Sequence, residues 1–253
     1  MQLKHKNHIT AKSYHINRFG EVSTSFLFWY MQEIAWEHAK ILGFGYDDLG
    51  KNELFWVLSR LLIKIDRRPK WTEEFTLETW SRGSDGFYAY RDYHFIDKEG
   101  KVFIKATSTW LVLDRANHKI QRLQKFNNFP SYQESVFGYN ASKVGSAQTS
   151  EKPVFFRVLF NEIDINQHFT SGKYLEKINN SYSFDFHEKH ELRELEINFM
   201  KEGMPNDSLA VNQQFLTDKE HLCSVIREND SAELIKARLI WEECIRGNFD
   251  FAF

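Results

Sequence analysis

Residues 26–43, FLFWYMQEIAWEHAKILG, and residues 58–66, LSRLLIKID, together decide the fold. The apolar positions of the first stretch include Leu27, Met31, Ile34, Ala35 and Ile41. They recur every three or four residues and Gly43 follows the last of them, which predicts one amphipathic helix over residues 26–42. In the second stretch the period changes to two, so a strand is expected soon after the helix.

The rest of the chain repeats this plan. Strands are predicted at residues 75–78, 87–96 and 102–114 in the first half, and at 154–160, 195–200, 209–216, 222–227 and 234–241 in the second. A second helix is expected near residues 172–184. The repeat shows as an offset, because IDRRP at residues 65–69 falls on FMKEG at residues 199–203.

In each half a long helix must bury its apolar stripe against a curved antiparallel sheet, which is the α+β arrangement called the hotdog. We therefore predict a tandem (double) hotdog. The first unit is expected over residues 1–124 and the second, catalytic unit over residues 154–253. Residues 125–153, rich in turn-forming residues, are expected to link them.

Composition limits what such a chain can do. With 253 residues, 42% of them hydrophobic and 27% charged, the chain should bury a sizeable core. Its net charge of −2 lacks the positive field that nucleic-acid binding requires, so no nucleic-acid partner is expected. No apolar stretch approaches the ~20 residues that span a bilayer, and no secretory signal pattern is present. We expect a soluble, cytoplasmic protein whose two cysteines, Cys223 and Cys244, are buried thiols.

Aromatic residues make up 16% of the chain. This large apolar volume fits a pocket for a long apolar ligand, and it fits equally well an aromatic core that binds nothing.

Residues 161–174, NEIDINQHFTSGKY, carry the most concentrated set of functional groups. Asp164, Asn166 and His168 lie two positions apart just before the second predicted helix, so in an extended segment their side chains can converge on one ligand. The N–H groups of the helix start could stabilise an oxyanion there. A calcium loop is excluded because Phe169 stands where its glycine is required, and no zinc-ligand spacing is found. A simple helix-capping turn remains an alternative, since Asp and Asn favour it.

Several segments of the chain resemble the successive signatures of one family, the acyl-ACP thioesterases best known from plant plastids. In the first half they are residues 54–60 (LFWVLSR), 66–71 (DRRPKW), 78–80 (ETW), 91–92 (RD) and 106–110 (ATSTW). In the second half the run Asp164-x-Asn166-x-His168, followed after five intervening residues by Tyr174, resembles the family's active-site run. The resemblance covers nearly the whole chain.

The resemblance implies hydrolysis of the thioester between a fatty acyl chain and acyl carrier protein, a step of lipid metabolism that needs no cofactor. It also implies that Asp164, Asn166 and His168 are catalytic, and that Glu202 stands within one residue of a cysteine found in plant members. A carboxylate cannot act as a thiolate nucleophile, so water is the expected attacking group. Either Glu202 or Asp164 is the expected general base.

Other residues are expected to serve the substrate. The candidate wall of the acyl pocket comprises Trp29, Trp36, Phe55, Trp56 and Tyr174. A basic patch of Arg67, Arg68 and Lys70 is a candidate docking site for the acidic carrier protein, although a solvated turn explains these residues as well. The first half lacks the trio, and Arg68 stands where the second half has Glu202, so one active site per chain is expected.

Three other functions are compatible with parts of the sequence. An acyl-CoA thioesterase of the same fold would use the same chemistry on a different carrier. A non-catalytic acyl-binding module would keep the fold without turnover, and the intact trio disfavours it. A hydroxyacyl dehydratase would need a His and an acid on opposite halves, and the sequence shows no such pair. Whether the chain is a monomer or a homodimer stays open.

Overall fold

The computed structural model describes residues 3–123 and 131–244, and within them ten strands form one antiparallel sheet. The strands are β1 (Lys4–Thr10), β2 (Leu54–Ile65), β3 (Glu74–Ser84), β4 (Ala89–Ile96), β5 (Val102–Asp114), β6 (Val154–Arg157), β7 (His190–Phe199), β8 (Ser208–Phe215), β9 (Glu220–Arg227) and β10 (Glu233–Glu243). The α-helices are α1 (Thr24–Ile41), α2 (Tyr46–Gly50), α3 (Ser171–Asn180) and α4 (Phe184–Lys189). The order across the sheet is β1-β3-β4-β5-β2-β7-β10-β9-β8-β6. The class is α+β, as predicted.

Helix α1 confirms the helical period seen in residues 26–42. It starts where the Ser23 hydroxyl accepts a hydrogen bond from the Phe26 N–H at 3.4 Å. The chain leaves the helix through Gly43, whose φ of 79° is in the left-handed region. The buried face of α1 consists of Ser25, Leu27, Phe28, Met31, Ile34, Ala35 and His38. Neither α1 nor any other helix of the described chain is long and apolar enough to span a membrane.

The second helical region differs from the prediction, because α3 and α4 replace one helix over residues 172–184. The Ser183 hydroxyl accepts a hydrogen bond from the Phe186 N–H at 3.1 Å and so starts a new helix. A capping serine, preceded by Asn179, Asn180 and Ser181, thus outweighed the helical period.

Strand β1 was not predicted from the sequence. Its sequence, KHKNHIT, is polar and alternates weakly, and the strand lies at the edge of the sheet, where it pairs only with β3. An edge strand has less apolar surface to bury, which explains its weak signal.

The two halves meet at the pair β2 and β7 in a symmetric register. Leu62 pairs with Glu196, which is its own equivalent in the repeat, 134 positions later. On either side Arg60 pairs with Asn198 and Lys64 with Glu194, so the register reads the same from both strands. A pseudo-twofold axis therefore passes through this pair, and one hydrophobic core runs through both halves.

Part of the predicted linker is fixed along the second half. The Val144 N–H donates to Asn198 Oδ1 at 2.8 Å, the Ala147 N–H to Ser224 Oγ at 2.9 Å, and the Ser150 N–H to Asn212 Oδ1 at 2.9 Å. Side chains of β7, β9 and β8 therefore hold the segment against the sheet. Residues 125–130 of the linker, and residues 1–2, 124 and 245–253 of the predicted units, lie outside the described residues, and the division into two domains stays a prediction.

Candidate active site

The loop that carries Asp164, Asn166 and His168 is organised by the Asp164 carboxylate. Asp164 Oδ1 accepts hydrogen bonds from the N–H groups of Asn166 at 2.8 Å and His168 at 3.1 Å. The Asp164 N–H donates to the His168 carbonyl at 2.9 Å, and Ile163 and Phe169 close the loop as a β-bridge. Asp164 therefore shapes the loop through N–H groups that precede α3, whose N-cap residue is Thr170, so it does not cap the helix as the alternative interpretation supposed.

His168 reaches Glu202 from the end of this loop. Its Nε2 atom lies 3.3 Å from Glu202 Oε2, and the two side chains are 19% and 31% exposed. Glu202 follows β7 in a turn that is held from two sides, since Arg227 Nη1 donates to the Glu202 carbonyl at 3.3 Å and the Phe169 N–H donates to the Gly203 carbonyl at 2.8 Å. The sequence left open whether Asp164 or Glu202 is the base, and the geometry pairs His168 with Glu202.

Asn166 offers a polar atom without a partner. Its Oδ1 is buried and makes no hydrogen bond within the described part of the chain. Its side chain lines both of the cavities that meet here. A buried amide with unused capacity at a cavity wall is a group available to a ligand.

His118, from the first half, is a fifth polar side chain at this site, and no sequence feature pointed to it. It lies in the turn after β5, and its Nδ1 atom is 3.7 Å from Glu202 Oε2. No motif covers this turn, and the two residues are far apart in sequence, so only the packing of the two halves brings them together.

Two adjacent cavities surround these groups. The main cleft has a volume of about 670 Å³ and contains Asp164, Asn166, His168, Glu202 and His118. The apolar pocket, of about 300 Å³, runs between α1 and strands of the first half. The two cavities share the lining residues Gln32, Phe55, Trp56, Trp110 and Asn166. A ligand with a polar head in the main cleft can therefore extend an apolar tail into the pocket.

The structure places the predicted pocket residues in different ways. Phe55 and Trp56 line both cavities, Trp36 lines the apolar pocket, and Tyr174 lines the main cleft. Trp29 is not among the residues that line either one. It packs instead on α3, where a Cβ atom on Gly172 would collide with its indole ring.

The predicted docking patch does not lie at the main cleft. Arg68 is only 6% exposed, and its guanidinium donates to the Val22 carbonyl and to Thr24 Oγ1, both at 3.0 Å. It lines a separate cavity of about 410 Å³, the second cleft, at the start of α1. A buried guanidinium is not available to a docking protein, so the assignment is wrong for Arg68. Arg67 pairs with Glu73 at 2.8 Å, and Lys70 is exposed.

Neither the two cysteines nor a cluster of side chains of the types that bind metals adds a further group to the described part of the site. Burial raises the pKa of the Cys223 thiol to about 12, so it is not a thiolate at neutral pH. Cys244 is half-buried, contrary to the expectation that both thiols are buried. Among residues 3–123 and 131–244 there is no cluster of three or more His, Cys, Asp or Glu side chains that could hold a metal ion.

Two family models together match almost the whole chain. The acyl-ACP thioesterase N-terminal domain matches residues 2–126, and the acyl-ACP thioesterase C-terminal domain matches residues 145–243. An acyl-[acyl-carrier-protein] hydrolase of Cuphea viscosissima is 26% identical over 93% of this chain and 61% of its own length. A palmitoyl-acyl carrier protein thioesterase of Gossypium hirsutum is 24% identical over 92% of this chain and 62% of its own length. The chain thus spans less than two thirds of these relatives, both of which are described as chloroplastic.

Solved structures share the whole architecture. An acyl-ACP thioesterase from Bacteroides thetaiotaomicron superposes with a TM-score of 0.83 at 24% identity, covering 95% of this chain and 98% of the other. The 12:0-ACP thioesterase from Umbellularia californica gives 0.84 at 19% identity, covering 96% and 98%. At this identity the likeness confirms the fold, the tandem hotdog.

Proposed function

The chain belongs to the acyl-ACP thioesterase family, and we propose that it hydrolyses the thioester that joins a fatty acyl chain to acyl carrier protein, releasing the free fatty acid and the carrier thiol. The observation that carries this proposal is the pair of His168 and Glu202 in the main cleft beside Asn166, which lines both the main cleft and the apolar pocket. Hydrolysis of such a substrate requires this combination of a base, a polar contact for the carbonyl and an apolar space for the chain.

In the proposed reaction Glu202 is the general base. It removes a proton from a water molecule whose oxygen attacks the thioester carbon, and a tetrahedral intermediate forms. The C–S bond then breaks, and the proton passes from Glu202 to the departing thiolate. His168 orients the Glu202 carboxylate through its Nε2 contact. Asp164 is the less suitable base because one of its oxygens already accepts two backbone N–H groups.

The thioester oxygen is the group that needs stabilisation as negative charge develops on it. The Asn166 amide has a buried atom without a partner, and rotation of the amide can place its NH₂ group there. The start of α3 at Ser171, which also lines the main cleft, adds the positive end of a helix. A donor of this kind typically contributes about 10²–10³-fold to the rate.

The apolar pocket is the proposed site of the acyl chain. Phe55 and Trp56 lie at its junction with the main cleft, while Arg91 lies on its wall, and Arg91 Nη1 is 2.9 Å from His38 Nδ1. The first half therefore holds the chain and the second half supplies most of the chemistry. This division of tasks corresponds to the two predicted domains. Trp36, from the first, also lines the apolar pocket, and Tyr174, from the second, also lines the main cleft.

A hydrolysis assay tests the function. Acyl-ACP substrates of graded chain length and the matched acyl-CoA esters are compared by the release of free fatty acid. We expect a higher kcat/KM on acyl-ACP. A preference for the CoA esters would assign the chain to acyl-CoA hydrolysis instead, and tight acyl binding without release of acid would make it a binding module. The cytoplasmic location, the absence of a cofactor and the oligomeric state stay predictions.

A further inference from the structure

His118 stands on a turn that is built to hold it in place. Asp114, the last residue of β5, accepts at its Oδ1 the N–H groups of Ala116 at 3.0 Å and Asn117 at 3.1 Å. The His118 N–H donates to the Asp114 carbonyl at 2.8 Å, and the Asp114 N–H donates to the Lys119 carbonyl at 3.0 Å. His118 itself has a φ of 54°, in the left-handed region. The turn thus fixes the direction in which the imidazole leaves the backbone.

The imidazole meets the same oxygen of Glu202 that His168 meets. Oε2 lies 3.3 Å from His168 Nε2 and 3.7 Å from His118 Nδ1. In both contacts the oxygen that faces the imidazole is Oε2. The ring of His118 also lies edge-on to Phe55, with centroids 5.9 Å apart, next to the entrance of the apolar pocket. Two imidazoles, one from each half of the chain, therefore bracket one carboxylate oxygen.

We propose that His118 is a positioning residue for Glu202, which together with His168 holds Oε2 so that Oε1 faces the attacking water. The inference rests on the proposed function, since it assigns a role within that reaction. It follows that the first half contributes to the catalytic apparatus as well as to the acyl pocket. A carboxylate held from two sides spends more of its time in the reactive orientation, which affects kcat more than KM.

The left-handed backbone of His118 allows a matched set of variants. Asn and Asp tolerate this conformation and are close in shape, and glycine adopts it freely. The amide nitrogen of Asn is as many bonds from Cα as His Nδ1, so His118→Asn keeps a donor toward Glu202. His118→Asp places a negative charge there, and His118→Gly removes the side chain. The three substitutions thus differ mainly in what they present to Oε2.

The expected order of kcat follows from these differences. His118→Asn should stay within about twofold of the parent chain, and His118→Gly should lower kcat about fivefold, as fits a contact made by a half-exposed imidazole. His118→Asp should lower it about tenfold or more through repulsion of the carboxylate. KM should change by less than about twofold in all three. His8→Gln, at an exposed histidine away from both cavities, serves as the control and should match the parent.

A second set of variants separates an effect through Glu202 from a structural effect of the turn. In a Glu202→Gln chain, the difference in residual kcat between His118→Asn and His118→Asp should vanish, because the neutral amide is not repelled. Equal kcat values for all the His118 variants, a rise in KM in place of a fall in kcat, or an unchanged Asn-to-Asp ratio in the Glu202→Gln chain would overturn the proposal.

The same cycle can be read by thermal unfolding, which needs no turnover. His118→Asp should lower Tm relative to His118→Asn only when Glu202 is present. If the parent chain hydrolyses no thioester, the proposed function fails and the role of His118 fails with it, whereas the unfolding cycle still reports whether the contact exists. An active parent with unchanged His118 variants rejects this inference alone.

Discussion

The active loop, residues 163–169, has a counterpart in the first half with the same hydrogen bonds and different chemistry. In residues 16–22 the Asn17 N–H donates to the Glu21 carbonyl at 2.7 Å, and Asn17 Oδ1 accepts from the N–H groups of Phe19 at 2.9 Å and Glu21 at 3.2 Å. A bridge between Ile16 and Val22 closes this loop, as Ile163 and Phe169 close the other. The backbone template is therefore duplicated.

The side chains that point from the two templates are not alike. Counting along both loops, Asn17 takes the place of Asp164, Phe19 that of Asn166, and Glu21 that of His168, while Arg68 takes the place of Glu202. Arg68 donates to Val22 and Thr24 at the start of α1, whereas Glu202 faces the main cleft. The loop is therefore a scaffold, and the chemistry resides in a few side chains placed on only one copy of it.

Behind the two loops the halves differ in free volume. In the first half Ala35 and Arg91 line the apolar pocket. At the corresponding positions of the second half, Tyr182 and His221 stack on each other with ring centroids 5.6 Å apart, and Trp241 packs against Tyr182 at 4.9 Å. An aromatic cluster thus occupies the positions that line the apolar pocket in the first half, and Tyr182 and Trp241 line the second cleft instead.

The largest effect is expected from exchanging one acid in each half for an amide. Glu202→Gln removes the proposed base and should lower kcat by about 10²–10⁴-fold, while Glu21→Gln, in the counterpart loop of the first half, should leave kcat within about twofold. Steady-state release of free fatty acid measures both. If Glu202→Gln keeps its activity and Asp164→Asn loses it, the base is Asp164. If Glu21→Gln is as damaging as Glu202→Gln, the two loops do not differ in the way described.

The sequence alone predicted the two repeated halves and the position of the active loop, but it did not predict much of their geometry. The offset repeat, the helix α1 and the spacing of the trio predicted the tandem fold and the loop that carries the chemistry. The break between α3 and α4 and the edge strand β1 were missed because a local cap and a polar edge leave little periodic signal. The burial of Arg68, the packing of Trp29 on Gly172 and the contact of His118 with Glu202 depend on how the halves dock, and no spacing within one segment reports that.

A smaller effect should follow from placing an aromatic ring in the first half at Ala35, the position where the second half has Tyr182. Ala35→Phe places a ring in the apolar pocket and should lower kcat/KM on long acyl chains about tenfold or more, with a smaller loss on short ones. Tyr182→Phe keeps the ring of the second-half cluster and should leave the chain-length profile unchanged. Assays over graded acyl-ACPs measure the profile. An unchanged profile for Ala35→Phe would show that the chain lies elsewhere.

The aromatic cluster of the second half contains a buried histidine, His221, which should make the free energy of unfolding depend on pH. His221 is 1% exposed, and burial lowers its pKa below the ordinary value of 6.5. The unfolded chain therefore takes up a proton at a higher pH than the folded chain does, so the free energy of unfolding falls as the pH drops below 6.5. One such proton contributes at most about 1.4 kcal/mol per pH unit.

Replacing this histidine by a ring that does not titrate should remove its share of the dependence. Urea unfolding of the parent and of His221→Phe at several pH values between 7.5 and 5.5 measures the slope. We expect a shallower slope for the variant, because only the unfolded parent gains the proton. Equal slopes would mean that His221 is protonated alike in both states, contrary to its burial among Tyr182 and Trp241.

The smallest effect concerns one backbone position that the two loops share. Gly20 has a φ of 72° and Gln167, its counterpart, a φ of 66°, so the first half uses the residue suited to this conformation and the active loop does not. Gln167→Gly relieves strain in the folded chain and increases the entropy of the unfolded chain, and the two terms should leave the free energy of unfolding within about 1 kcal/mol. Because the Asp164 carboxylate, and not the Gln167 side chain, holds the loop together, kcat should also stay within about twofold. Chemical denaturation and the fatty-acid assay check both values, and a large loss of kcat at unchanged stability would mean that the Gln167 side chain, and not only its backbone, serves the reaction.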